Sequence, residues 1–303
     1  MRMTRIGGAI AGIAIAALAL TGCNSGTPGS EGNTDDGDEG TTSENPWTVA
    51  TDVTLEGSPT FDSIQAAGKV VVGVKEDQPG LGYLDVTTQV RSGFDIDIAR
   101  WIAASLGFDE DQIEYKAIAS ANREQAIING EVDYYVGTYS ITDKRKELIN
   151  FAGPYFITGQ GFLVGADSDI TDVTDVSDFN GKTVCSATGS TPIQNIKENY
   201  PEINTEEYDL YSACVDDLLN GKVDAVTTDQ AILIGYAAQY PDELRVVGGL
   251  FTEERYGVGL QKGDEALTQF INDMFTNGGD IWQAIFDKNL GSSGISVEQP
   301  AVD

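Results

Sequence analysis

The sequence predicts an α/β protein with two similar lobes that face each other across a cleft. Residues 129–136 and 220–227 share one pattern: each places an Asn-Gly pair after an apolar helical run and continues into a short apolar strand. Glycine suits the end of a helix because it adopts the left-handed conformation that terminates many helices. The 303 residues are long enough for two domains, and strands alternate with helices, which favours parallel or mixed sheets.

The individual elements follow from the spacing of apolar residues. We predict a buried strand at 69–74, a helix at 94–103 that Gly107 ends, and one last helix from about Glu265 to Phe286. Further strands are predicted at 161–164, 181–184 and 257–260.

Polar residues follow both matched strands. The first unit ends in Thr138 and Ser140, and the second ends in Thr227, Thr228 and Asp229. Ligands bind at the carboxyl ends of strands in open α/β sheets. We therefore expect these polar ends to line the cleft.

The composition excludes several classes of protein. The chain has 18 basic and 48 acidic residues and a formal net charge of -30, which argues against nucleic-acid binding because phosphates would be repelled. It contains no histidine, which excludes a histidine general base, a Ser-His triad and a histidine-ligated metal. We expect no metal and no other cofactor.

The first 22 residues have the pattern of a signal peptide. Arg2 and Arg5 precede an apolar run over 6–20 that is too short and too rich in small residues for a membrane span. The run ends in LTGC, which resembles the lipobox of bacterial lipoproteins, in which the cysteine is lipidated. The resemblance implies a palmitate-bearing anchor at Cys23, and an ordinary signal peptide with an incidental cysteine is the alternative.

A cation lies in the stretch that follows the first matched strand. Residues 137–145 read GTYSITDKR, in a chain where cations are scarce. An arginine beside this hydroxyl cluster either lies on the surface of a short helix or binds an anion. A guanidinium suits a carboxylate because it donates two parallel hydrogen bonds. Arg145 is therefore a candidate anion-binding residue.

Four motifs occur in order along the folded part of the chain. They are GFDID at 93–97, YSITDKR at 139–145 with FAGPYF at 151–156, GKTV at 181–184 with GST at 189–191, and VDAV at 223–226 before Asp229. Together they resemble the polar amino-acid-binding proteins of ABC uptake systems, solute-binding protein family 3. The resemblance covers roughly residues 58–290 and implies a two-lobe, periplasmic-binding-protein-like (type II) fold with a hinged cleft.

This fold divides the chain into a signal peptide, a tether and two lobes. We expect the signal peptide at 1–22 and a flexible acidic tether rich in Gly, Ser and Thr at 23–57. Lobe 1 is expected at 58–160 plus 256–303, and lobe 2 at 161–255. Crossover strands near 158–164 and 250–257 would form the hinge.

The resemblance assigns a group of residues to the ligand's α-carboxylate. Arg145 matches the arginine that grips this carboxylate, and Ser140 matches a residue that donates to it. Ser190 and Thr191 match donors of the second lobe that reach it when the cleft closes. A turn before a helix is the alternative interpretation of residues 189–191, although a helix N-terminus there also favours an anion.

The resemblance also assigns two residues to the ligand's α-ammonium. Thr138 matches a position whose backbone carbonyl accepts from the ammonium, and Asp229 matches the carboxylate that pairs with it. An aspartate at this place also caps helices well, so a cap of a helix starting at Gln230 is the alternative.

A third group would hold the distal end of the ligand. The stretch SANR at 120–123 resembles the Ser-x-Asn-Arg sequence of the family's acidic-amino-acid binders, in which Ser120 and Arg123 would hold a distal carboxylate. Lys75 matches a basic position with the same role. A helix-surface position is the alternative for Arg123.

The remaining cysteines, Cys185 and Cys214, lie in an exported context that permits a disulfide. Two buried free thiols are the alternative. The chain resembles the glutamate-binding lipoproteins of actinobacterial uptake systems, and that resemblance implies that the two cysteines are paired.

The predicted function is capture of L-glutamate outside the cytoplasm and its delivery to an ABC permease, with the protein a lipid-anchored monomer that is not an enzyme. Aspartate, glutamine and asparagine are the alternative ligands. A dehydratase-type enzyme or a sensor module on the same fold is the alternative of another class. Glu76 and Asp77, after the first strand, could serve an enzyme as acid or base.

Overall fold

The computed structural model describes residues 45–171 and 173–303. The predicted signal peptide, the lipobox with Cys23 and most of the predicted tether lie outside the described residues. Residues 45–57, predicted as the end of the tether, lie against the folded part: Trp47 is buried, and the Ala50 N–H donates to the Ala104 carbonyl over 2.8 Å. The packed part of the chain therefore begins before Ser58.

Thirteen strands are present in the described part of the chain. They are β1 (Val70–Val74), β2 (Asp77–Gln78), β3 (Gly82–Leu84), β4 (Arg91–Ser92), β5 (Ile113–Ala117), β6 (Tyr134–Tyr135), β7 (Asn150–Thr158), β8 (Gln160–Gly165), β9 (Thr183–Ala187), β10 (Asn204–Tyr208), β11 (Ala225–Asp229), β12 (Leu244–Val247) and β13 (Glu254–Leu260).

Nine α-helices lie between or after these strands in the same residues. They are α1 (Pro59–Ala67), α2 (Phe94–Ser105), α3 (Arg123–Ile128), α4 (Asp143–Lys146), α5 (Thr191–Asn199), α6 (Tyr211–Leu219), α7 (Gln230–Gln239), α8 (Glu265–Asn277) and α9 (Gly279–Asn289).

Two five-stranded mixed sheets form the centres of two lobes. The first sheet has the order β5-β1-β6-β13-β7, and the second has the order β10-β9-β11-β8-β12. In each sheet the first three strands are parallel and the last two run antiparallel to their neighbours. The predicted α/β architecture with two similar lobes is confirmed.

A small third sheet, β2-β3-β4, follows the first strand of the first sheet. It carries Asp77 and Gln78 on its first strand, and both side chains are buried. The Asp77 carboxylate accepts from the Ser212 N–H at the start of α6, over 3.2 Å. This small sheet therefore contacts the second lobe directly.

The chain crosses between the two sheets twice, at Gly159 and over residues 248–253. The two crossovers touch, because a Cβ added at Gly159 would lie 2.3 Å from the Thr252 carbonyl oxygen. The Gln160 N–H donates to the Thr252 hydroxyl over 2.9 Å. These contacts tie the crossovers together.

The end of the chain differs from the prediction. The single helix expected from Glu265 to Phe286 is wrong: α8 ends at Asn277, and α9 begins at Gly279. Two consecutive glycines stand at this break, and glycine is a poor helix former. Gly278 also lies against the Trp101 ring, where an added Cβ would approach a ring carbon to 2.3 Å.

Cys185 on β9 and Cys214 on α6 form a disulfide with Cα atoms 5.4 Å apart. The pairing implied by the resemblance is confirmed, and the free-thiol alternative is excluded. The bond ties a central strand of the second sheet to the helix that packs on it.

Among residues 45–171 and 173–303, no helix is both long and apolar enough to cross a membrane.

Candidate functional site

The predicted site residues are gathered at the facing edges of the two sheets. Eight of the nine side chains are buried, and Thr191 is partly buried. The eight are Lys75, Ser120, Arg123, Thr138, Ser140, Arg145, Ser190 and Asp229. Burial excludes the alternatives in which Arg123 and Arg145 are helix-surface residues, since both are less than a tenth exposed.

Arg145 lies on the short helix α4 and points into the cleft. Its Nη1 donates to the Ser140 carbonyl over 2.7 Å, and its Nη2 donates to the Gly189 carbonyl of the second lobe over 3.1 Å. Its Nε donates to the Glu124 carboxylate over 3.0 Å. A guanidinium has five N–H groups, so one N–H on each terminal nitrogen stays available. That pair can bind a carboxylate in bidentate fashion.

Thr138 adopts the left-handed backbone conformation, with φ 46°. Its N–H, hydroxyl and carbonyl each form a hydrogen bond. Its N–H donates to Asp95 over 2.9 Å, and its hydroxyl donates to Gln78 Oε1 over 3.1 Å. The carbonyl predicted for the α-ammonium accepts from Arg123 Nη1 over 3.2 Å. A carbonyl oxygen has two lone pairs, so this one can still accept a second hydrogen bond.

Lys75, Ser120 and Arg123 form one cluster. Lys75 Nζ donates to the Ser120 hydroxyl over 2.8 Å, and Arg123 Nε donates to the Ser120 carbonyl over 3.1 Å. Burial, and then the nearby Arg123 charge, lower the pKa of Lys75 to about 7. Within residues 45–171 and 173–303, neither Lys75 nor Arg123 forms an ion pair.

Asp229 faces this cluster from the second sheet. It stands directly before α7, but its side chain makes no capping hydrogen bond, so the cap-only alternative is excluded. Its Oδ2 accepts from the Tyr256 hydroxyl over 2.7 Å, and its Oδ1 has no partner among the described residues. Burial, and then the Glu254 charge, raise the pKa of Asp229 to about 8. An ammonium beside Oδ1 would favour the ionised carboxylate.

Ser190 and Thr191 open helix α5. The Ser190 hydroxyl caps the helix by accepting from the Ile193 N–H over 3.3 Å, and Thr191 is the first helical residue. The Thr191 hydroxyl lies 2.9 Å from Glu254 Oε2 and 3.3 Å from the Ser140 hydroxyl. Thr191 therefore lies beside Ser140. Ser190 caps α5, and the positive N-terminal end of that helix faces the site.

The two lobes touch on both sides of this site. A Cβ added at Gly189 would lie 2.7 Å from the Ala121 Cα, which shows how closely the lobes approach there. On the other side, the Tyr236 hydroxyl of α7 donates to the Asp77 carbonyl. The site is therefore enclosed between the lobes.

Several buried polar atoms near the site lack a hydrogen-bond partner among the described residues. They include Asp77 Oδ1, Gln78 Nε2, Tyr135 Oη, Tyr139 Oη, Thr228 Oγ1 and Asp229 Oδ1. Buried polar groups are almost always paired in folded proteins. Such a concentration at one place indicates a site that completes its hydrogen bonds with a polar ligand.

Sequence reasoning assigned no site role to Asp95, Gln78 or Tyr256, although each bonds directly to a predicted site residue. Asp95 stands in the GFDID motif, which was the one available signal. Gln78 and Tyr256 carry no local signal, because their contacts join residues far apart in the sequence.

The site contains three buried cations, and only Arg145 among them is paired with a carboxylate, that of Glu124, within the described residues. The Asp229 carboxylate faces them with one oxygen, Oδ1, that has no partner there. Such an arrangement suits a small molecule with carboxylates on one side and an ammonium on the other. No cluster of three or more metal-ligating side chains was found in the part of the chain that the structure describes.

Comparisons with known proteins show the family of this chain. Residues 70–291 match the model of the bacterial extracellular solute-binding proteins, family 3. The glutamate-binding protein GluB of Corynebacterium glutamicum is 43% identical over 245 residues, which cover 77% of this chain and 82% of that protein. The glutamine-binding protein of Geobacillus stearothermophilus is 40% identical over 244 residues, which cover 80% of this chain and 87% of that protein.

Solved structures share the fold. The cysteine-binding protein from Campylobacter jejuni matches with a TM-score of 0.73 at 28% identity, covering 80% of this chain and 98% of that one. The predicted two-lobe binding-protein fold is confirmed.

Proposed function

We propose, since this chain belongs to family 3 of the bacterial extracellular solute-binding proteins, that it captures L-glutamate and hands it to the membrane permease of an ABC uptake system. The observation that carries the choice of ligand is the set of three buried cations, Lys75, Arg123 and Arg145, opposite the buried carboxylate of Asp229. Only Arg145 among the three is paired with a carboxylate, that of Glu124, within the described residues. Glutamate offers two carboxylates and one ammonium. The similarity to proteins named for glutamate and glutamine supports the same range of ligands.

The α-carboxylate binds to Arg145, whose two available N–H groups donate to its two oxygens, and to the hydroxyls of Ser140 and Thr191. The Ser140 and Thr191 hydroxyl oxygens lie 3.3 Å apart, so both can reach one carboxylate. Because Thr191 opens helix α5 of the second lobe, this carboxylate also links the two lobes.

The α-ammonium binds between Asp229 Oδ1 and the Thr138 carbonyl. Asp229 Oδ1 has no partner among the described residues, and the Thr138 carbonyl has one lone pair left beside Arg123. Charge-assisted bonds of this kind contribute about 1.5–3 kcal/mol each.

The distal carboxylate binds to the cluster of Lys75, Ser120 and Arg123. Two cations without an ion-pair partner in the described part of the chain favour an anionic side chain over a neutral amide. Glutamine and asparagine would leave those charges without a counter-charge, which is costly in a buried site. Aspartate places its carboxylate one methylene closer to the backbone and reaches the cluster less well.

Capture is a closing of the two lobes, assigned as 58–160 plus 256–303 and 161–255, around the ligand without chemical turnover. Contacts that exist only in the closed form drive this population shift. A lipid at Cys23 and the acidic tether hold the binding lobes at the outer face of the cell membrane as a monomer. Exchange of Cys23 for alanine should release the protein into the medium in a fractionation experiment.

Isothermal titration calorimetry with L-glutamate, L-glutamine, L-aspartate and L-asparagine tests the proposal. Wild-type protein should bind glutamate most tightly, and Arg123→Ala should lose glutamate affinity selectively. Arg255→Ala, which removes a partly exposed arginine paired with Asp303, serves as the matched control. Tighter binding of glutamine, or no effect of Arg123→Ala, would overturn the assignment of the distal cluster. Recovery of unchanged ligand after long incubation tests the absence of turnover.

A further inference from the structure

Two of the cations in the site lie over one aromatic ring. The Arg123 Cζ is 4.2 Å and the Arg145 Cζ is 4.8 Å from the centroid of the Tyr139 ring. Tyr139 is fully buried and stands in the middle of the YSITDKR motif, where sequence reasoning gave it no role. Like charges held this close repel, and within the described residues only Arg145 has a carboxylate partner, Glu124.

The Tyr139 ring is fixed by its neighbours. It packs edge-to-face against Tyr135, with centroids 5.3 Å apart, and against Phe151, with centroids 4.9 Å apart. Gly259 on β13 leaves room for it, since an added Cβ would lie 3.0 Å from the ring. The ring therefore offers a rigid surface.

An aromatic face attracts cations through its quadrupole, and the attraction is strongest where water is excluded. Burial raises the pKa of the Tyr139 hydroxyl above its ordinary value, so the ring stays a neutral phenol. The hydroxyl has no hydrogen-bond partner among the described residues. The ring face, rather than the hydroxyl, is therefore what Tyr139 contributes to the site.

We propose that Tyr139 is a positioning residue that holds the Arg123 and Arg145 guanidiniums at a fixed separation and so selects amino acids with two closely spaced carboxylates. This inference rests on the proposed function. Both guanidinium carbons lie near the same ring centroid, at 4.2 and 4.8 Å. The distance between the two carbons therefore cannot exceed the sum of these two distances.

The role makes a specific prediction for ligand discrimination. Both glutamate and glutamine use Arg145, whereas only glutamate gives Arg123 a carboxylate. Loss of the ring should therefore weaken both ligands and weaken glutamate more. A residue that only filled space would lower both affinities by the same factor.

The test measures the ratio of glutamate to glutamine affinity by calorimetry, with melting temperatures to follow folding. Tyr139→Phe keeps the ring and should leave the ratio within about threefold of wild type. Tyr139→Leu removes the ring and should lower the ratio at least tenfold, about 1.4 kcal/mol. Phe151→Leu removes a ring that packs on Tyr139 without lying over a guanidinium, and it should leave the ratio unchanged.

A second variant keeps the test valid if Tyr139→Leu fails to fold. Phenylalanine carrying three ring fluorines at position 139 keeps nearly the same shape but weakens the negative face of the ring. It should lower the ratio relative to Tyr139→Phe, and an equal ratio overturns the proposal. An equal drop in Phe151→Leu and Tyr139→Leu also overturns it. Failure of wild-type protein to bind glutamate would instead refute the proposed function.

Discussion

The Tyr256 hydroxyl on the first sheet donates a 2.7 Å hydrogen bond to Asp229 on the second sheet. This bond supports one carboxylate oxygen and leaves the other for the ligand. Tyr256→Phe should weaken amino-acid binding about 10- to 100-fold, because a hydrogen bond to a charged group contributes about 1.5–3 kcal/mol. Calorimetry checks this, with Tyr134→Phe as control, since that hydroxyl donates to the Ala99 carbonyl instead. Unchanged affinity in Tyr256→Phe would contradict the assignment of Asp229.

Binding of glutamine should release a proton from Asp229. Burial and the Glu254 charge raise the pKa of Asp229 to about 8, so the carboxyl is mostly protonated below pH 8 in the free protein. The ligand ammonium favours the ionised form, so affinity should rise from about pH 6.5 to 8 and then level off, by at most tenfold per pH unit. The measurement is made in a Lys75→Met variant, because the Lys75 ammonium also titrates in this range. Calorimetry in buffers of different ionisation enthalpy counts the protons, and uptake instead of release would refute the prediction.

The preference for glutamate over glutamine should fall as pH rises. Burial and the Arg123 charge lower the pKa of Lys75 to about 7, so its ammonium is lost between pH 6 and 8 in the free protein. A distal carboxylate favours the ammonium, whereas a neutral amide does so much less. The affinity ratio should therefore decrease by up to about tenfold between pH 6 and 8. Lys75→Met should make the ratio independent of pH, and a flat ratio in wild type would count against the distal cluster.

Gly189→Ala should hold the lobes apart. An added Cβ would lie 2.7 Å from the Ala121 Cα across the cleft. Gly181→Ala is a matched control, since its φ of +76° is close to the +75° of Gly189 but its Cβ would meet nothing within 4 Å. Both variants should lose similar stability, while only Gly189→Ala should lose ligand affinity and closure measured by small-angle scattering. Equal affinities of the two variants would show that the enclosed form is not the one that binds ligand.

Removal of the Cys185–Cys214 disulfide should lower the free energy of unfolding. The bond closes a loop with a sequence separation of 29, for which the chain-entropy model gives about 3–4 kcal/mol. Urea unfolding with and without reductant measures the difference, and a Cys185→Ser, Cys214→Ser double variant should not respond to reductant. A stability that reductant leaves unchanged in wild type would mean that the bond constrains the unfolded chain little.

Local sequence patterns predicted the repeated helix–turn–strand units well. Gly130 and Gly221, the glycines of the two matched Asn-Gly pairs, both adopt the left-handed conformation, with φ of 66° and 67°. The strand that follows is two residues long in the first unit and five in the second. Strand length depends on the partner strand, which periodicity along one segment does not report.

Long-range contacts account for what the sequence did not reveal. Asp95 supports Thr138 from 43 positions away, and Tyr256 supports Asp229 from 27 positions away. Neither pair lies within one helix or hairpin, so no local spacing predicts it. The break at Gly278 has a local cause in two adjacent glycines, but its fit against Trp101 is a tertiary contact.

The contact between Gly159 and Thr252 has a mechanical consequence. Because the two crossovers are in contact and bonded to each other, we expect them to act as one pivot rather than as two independent linkers. The proposed closing of the lobes would then be close to a rotation about a single axis. A single angle would describe how far the protein is open, and side chains around this pivot could set the resting angle without touching any group that binds ligand.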